Sequence, residues 1–171
     1  TKKISFYSFL FFIVPIFTLS VCYYLNVIYY DLNSVPFLDG EVSVSQVGRQ
    51  VKTILIFKVG FCIYILISMF FYYELGFFFK KKFLPNYRFY FACFSNFFLL
   101  IYLFCLAKDN FFLEIFRKFS IILFILSMYI NHLITIKNIT YLKKNRIIKV
   151  KNIYFFSLII IYILMTLLIL V

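Results

Sequence analysis

The sequence predicts an all-α protein, a polytopic transmembrane bundle of about five membrane-spanning helices. Three observations carry that fold class. The 171-residue chain is 65% hydrophobic with a mean hydropathy of +1.00, whereas a soluble domain is roughly 45–50% apolar. Its apolar residues gather into long, nearly uncharged runs, and about 20 residues at 1.5 Å each carry a helix through a hydrocarbon core about 30 Å thick. The runs are also continuous. Strands of a membrane barrel alternate polar and apolar residues, and a chain in lipid must satisfy its backbone groups internally, which leaves helices.

The elements follow in order. Residues 4–29 form the first run, after Thr1, Lys2 and Lys3, with Pro15 inside it; membrane helices tolerate such a proline. This run exceeds the apolar core of a signal peptide, about 7–15 residues, and no A-x-A site follows, so it reads as an anchor. Residues 53–73, 89–107, 119–136 and 153–171 form the remaining runs. The chain reads as a single transmembrane domain, 1–171, with one long polar connector, 30–52.

The connectors set an expected orientation. Twelve of the eighteen Lys and Arg residues fall on the side of the N-terminus: Lys2, Lys3, Lys80, Lys81, Lys82, Arg88, Lys137, Lys143, Lys144, Arg146, Lys149 and Lys151. Five of the six acids, Asp31, Asp39, Glu41, Asp109 and Glu114, fall on the other side. Retention of Lys and Arg in the cytoplasm orients membrane proteins. The expected topology places the N-terminus on the cytoplasmic (or matrix) side and the C-terminus opposite.

Composition excludes several functions. The net charge of +12 would point to nucleic acid in a soluble protein, but these cations sit between apolar runs, where lipid phosphates and orientation explain them. No nucleic-acid partner is expected. Cys22, Cys62, Cys93 and Cys105 all lie within apolar runs without C-x-x-C or Cys/His spacing, so they read as buried small hydrophobes, not metal ligands. Phe, Tyr, Ile, Lys and Asn abound while Trp is absent, the signature of an A/T-rich genome. No cofactor and no catalytic residue is expected: there are no paired carboxylates at membrane depth, no nucleophile beside a base and no glycine-rich phosphate loop.

The polar connector is where specificity is expected. It holds Pro36, Gly40 and Gly48, the acids Asp39 and Glu41, and the alternating stretch VSVSQV, which reads as extended chain. Connectors are usually about 2–8 residues, and long ones tend to be functional. Apolar residues such as Val35, Phe37, Leu38 and Val47 indicate a segment that folds back over the helix ends. Candidate lipid or partner contacts there are Asp39, Glu41, Ser43, Ser45, Gly48, Arg49 and Lys58. Lys58, a few residues into the second run, either snorkels to the headgroups or pairs with Asp39, Glu41 or a lipid phosphate. Lys143, Lys144, Arg146, Lys149 and Lys151 are candidate headgroup contacts, since each cation near an anionic leaflet contributes about 1 kcal/mol. Ser95, Asn96, Ser127, Asn131 and the sole His132 are the polar groups expected inside helices, with His132 near a water-accessible end.

Residues Pro36, Phe37, Ser43, Val44, Ser45, Gly48, Ile56, Phe57, Lys58, Gly60 and Phe61 form a pattern that resembles the Frag1/DRAM/Sfk1-like membrane protein family. The residues that carry it lie within 36–61, and members of that family look six-helical. The resemblance implies a lipid-associated membrane protein without an established catalytic centre. The expected function is an integral membrane accessory protein, lipid-associated, acting through 30–52 without catalysis, with membrane lipids as partners. The alternative is a small structural subunit of a larger membrane complex, such as a respiratory or ATP-synthase assembly, whose partners would be other membrane subunits.

Overall fold

The computed structural model describes residues 2–30, 44–80, 87–106 and 110–144. They form α1 (Lys2–Tyr30), α2 (Val44–Val47), α3 (Ile54–Lys80), α4 (Tyr87–Cys105) and α5 (Phe111–Lys144). All but α2 are long and apolar enough to cross a membrane. The fold is an all-α transmembrane bundle, and no strand occurs among the described residues.

Each helix runs antiparallel to the one it packs on. The Tyr7 and Phe70 rings stack at 6.0 Å and the Cys22 thiol reaches the Thr53 carbonyl at 3.8 Å, so α3 descends along α1. Ser68 meets Asn96 and Phe79 meets Arg88 between α3 and α4. Ser95 bonds the Phe124 carbonyl and Asn131 the Arg88 carbonyl between α4 and α5. One end therefore collects Lys3, Lys80, Arg88 and Lys137 (the basic end), and the other collects residues 44–53 (the loop end).

The interior is apolar with a polar seam. Between helices in lipid there is little hydrophobic drive, so close packing and interhelical hydrogen bonds hold the bundle. Phe11 of α1 is the aromatic centre, packed on Tyr64, Phe71 and Tyr72 of α3 and edge-on to His132 of α5 at 6.4 Å. His132 thus packs in a ring cluster and does not stand free at a watery end. Pro15 leaves α1 unbroken, and the Thr18 hydroxyl donates to the Val14 carbonyl at 2.8 Å beside it.

Several expected boundaries move. The run expected at 119–136 is a helix over Phe111–Lys144. Asn110 caps it, accepting from the Phe112 amide at 3.0 Å, and Glu114 pairs with Lys118 at 2.8 Å one turn on. Neighbours at four-residue spacing satisfy each other, so the helix continues through charge. The run expected at 53–73 extends to Lys80, past Glu74 and Gly76. The stretch read as extended, VSVSQV, contains the helical turn Val44–Val47. Its backbone continues through Arg49 N–H to Gln46 carbonyl (3.1 Å) and Thr53 and Ile54 N–H to Gln50 carbonyl (3.0 and 2.9 Å) into α3; local winding and docking override the alternation. The expected fifth run, 153–171, lies outside the described residues.

Candidate functional site

The loop end is assembled around one carbonyl. Val47 O accepts from Asn26 Nδ2 at 2.8 Å and from Thr53 Oγ1 at 2.7 Å. Asn26 is 0% exposed, four residues from the end of α1, and Thr53 opens the first turn of α3. A carbonyl that ends a one-turn helix has no helical partner of its own, and in a dry site it needs a side-chain donor. Two donors here bind α2 to both α1 and α3. Beside it Gly48 lies against the face of the buried Phe57: an added Cβ would stand 2.5–2.7 Å from three ring carbons. The Lys52 ammonium lies 3.6 Å from the centre of the Tyr29 ring, a second tie between this turn and α1.

The turn also faces the far helices. The charge of Arg49 acts on both Tyr102 of α4 and Glu114 of α5. Arg117 stands 3.9 Å from Glu114, and its place in the helix, buried, differs from the connector position expected for it. Residues 44–53 therefore cap the α1 and α3 ends of the bundle, which they touch, with the charge of Arg49 turned toward α4 and α5.

A groove opens directly below this cap. Ile13, Val14, Phe17, Thr18 and Val21 of α1 and Leu55, Ile56, Val59, Gly60 and Ile63 of α3 line a volume of about 430 Å³ on the outer face of the bundle. Only Thr18 brings a polar side chain. The floor exists because Gly60 has no Cβ: one placed there would collide with the Thr18 side chain.

The expected site residues divide accordingly. Gly48 and Arg49 belong to the cap. Ser45 lies within α2, and Asp39, Glu41 and Ser43 lie outside the described residues. Lys58 is half-buried on the fifth residue of α3 and forms no ion pair among the described residues. Lys143 and Lys144 are the last two residues of α5, while Arg146, Lys149 and Lys151 lie outside the described residues. Of the cysteines expected to be buried, Cys22 and Cys105 are, but Cys62 faces outward and Cys93 is half-buried; in lipid a thiol on the outer face carries no penalty.

Sequence reasoning missed Asn26, Thr53, Thr18, Ser68 and Arg88, all buried. Asn26 was legible as a lone amide within an apolar run, the kind of residue that is functional or structural glue by default. Ser68 pairs with Asn96, whose Nδ2 donates to its Oγ at 3.1 Å. Arg88, assigned from sequence to a connector, is instead the second residue of α4, its guanidinium 3.8 Å from the centre of the Phe79 ring. No family model matches this chain, and neither a curated protein nor a solved structure does.

Proposed function

We propose that this chain is a lipid-associated integral membrane protein of accessory type, which acts through segment 30–52 without catalysis of its own. The observation that carries the reading is the groove beneath the cap. Its volume, about 430 Å³, lies within the range of roughly 300–1,000 Å³ typical of small-molecule sites, and its apolar walls suit an acyl chain. The cap above supplies the polar component with Arg49 and Lys52, and Lys58 follows in the second turn of α3. An acyl chain in the groove with its phosphate under the cap matches both ends of one lipid. The resemblance of 36–61 to the Frag1/DRAM/Sfk1-like family points the same way, since the cap carries its Gly48 and the groove wall its Ile56 and Gly60.

The test is lipid retention. The full chain, purified in mild detergent, is expected to carry about one tightly held phospholipid by native mass spectrometry. Val59→Phe fills the groove from an outward-facing position, so it is expected to release that lipid without lowering the unfolding temperature. If wild type carries no lipid and collapses unless other membrane subunits accompany it, the reading fails and a structural subunit of a larger complex replaces it.

A further inference from the structure

Arg88 is 0% exposed, yet its Nε and both Nη atoms have no hydrogen-bond partner among the described residues. A guanidinium carries five donors and remains charged at every physiological pH. The Phe79 ring beneath it, 3.8 Å away, returns only a small part of what burying a charge costs. The neighbouring amide does not serve the charge either. Asn131 Nδ2 donates to the Arg88 backbone carbonyl at 3.1 Å, and Asn131 Oδ1 is itself buried without a partner.

The charges around it are one-sided. Antiparallel packing places Lys3, Lys80 and Lys137 at the same end, and Lys81 and Lys82 follow in sequence. Glu74 is the only carboxylate among the described residues of this half, and it forms no ion pair with Arg88. Among the described residues of this end, Lys3, Lys80, Arg88 and Lys137 are matched by the single carboxylate of Glu74.

We propose that Arg88 is the centre of an oxyanion site at headgroup depth, which takes a phosphate group from a lipid headgroup or from a free phosphate. The planar fork of a guanidinium matches phosphate oxygens in pairs. Arg88 opens α4, so the first amides of that helix, which lack helical acceptors, add donors beside it. Phe79 holds the guanidinium from below while its N–H groups stay unspent. The site lies at the end of the bundle opposite the groove and does not rest on it.

The experiment uses the full chain with ¹⁵N-labelled arginine in frozen, phosphorus-free maltoside micelles. Dipolar dephasing between ¹⁵N and ³¹P is measured after adding phosphatidic acid or inorganic phosphate, and Arg88→Lys identifies the signal. A guanidinium–phosphorus contact with phosphatidic acid, lost in Arg88→Lys, is the expected result and names a lipid. A contact with inorganic phosphate supports the same site and names a soluble occupant. Absence of both contacts overturns the proposal, and water bridging Arg88 to Asn131 Oδ1 would then account for the burial. Retention of phosphatidic acid through purification is expected to fall on the order of tenfold in Arg88→Met, the loss typical of a charge-assisted bond. Where wild type shows the phosphatidic acid contact, loss of that contact in a folded Arg88→Met protein is expected and its persistence overturns the proposal; if that variant does not fold, the wild-type dephasing decides.

Discussion

Asn26 and Thr53 divide a single carbonyl between them, and that division decides how firmly the cap is held. Interhelical hydrogen bonds of membrane proteins contribute on average about 0.6 and at most about 1.7 kcal/mol each. Asn26→Leu leaves Val47 O with Thr53, and Thr53→Val leaves it with Asn26, so either change alone is expected to cost roughly 0.5–1.5 kcal/mol. Together they strand a buried acceptor, and the double variant is expected to lose more than the sum of the two, by about 1 kcal/mol or more. Thermal unfolding in detergent measures the cycle. A cysteine placed at Ser45 gives a second readout, with faster thiol labelling expected in the double variant as the cap lifts. Strict additivity with unchanged labelling would mean that the carbonyl does not hold the cap. None of this arrangement was legible beforehand, because a sequence shows an amide in an apolar run but not the carbonyl it will meet 21 residues later. Arg88 was misplaced for a related reason: its charge is visible in sequence, its inward direction is not.

At the scale of elements, α1 and α3 approach closely where Gly60 lies against Thr18. Small residues let membrane helices approach closely enough for dispersion to hold them. Gly60→Ala places a methyl group within the Thr18 side chain, and overpacking of this kind costs typically about 1–3 kcal/mol. Thr18→Ala removes the hydroxyl and the methyl that an added Cβ would strike first, while the Thr18 Cβ, 2.9 Å away, remains. Partial recovery of the unfolding temperature is therefore expected in the Gly60→Ala, Thr18→Ala pair, and no recovery would show that the helices part elsewhere. The helices themselves were the legible part of the fold, since runs of apolar residues declare spans whatever lies around them. Their ends were less so. Glu114, Arg117 and Lys118 look like a connector in sequence, but on a helix both cations fall one turn from the Glu114 carboxylate and pair with it, and α5 runs on. The turn at 44–47 was read as extended because VSVSQV alternates. With Val47 O fixed from two sides, docking outweighed that weak local preference.

For the whole molecule, charge and helix length set which way the bundle is expected to face and how many times the chain is expected to cross. Four long helices connected antiparallel return α5 to the basic end. With 34 residues, α5 is about 51 Å long, well beyond a hydrocarbon core of about 30 Å. Its last turns, carrying Lys137, Lys143 and Lys144, therefore emerge on that side. Cations near an anionic cytoplasmic leaflet are worth about 1 kcal/mol each, so the basic end is expected to face the cytoplasm or matrix. Beyond it, residues 153–171 hold no charged side chain, and 19 residues at 1.5 Å each span about 28 Å, enough for one more crossing. Two fusions of a side-specific reporter separate the possibilities, one following Lys151 and one following Val171. The first is expected to report the cytoplasmic or matrix side and the second the opposite side. If both report the same side, 153–171 does not cross; if the first reports the far side, the cations do not orient the bundle, and the cap at 44–53 faces the cytoplasm instead.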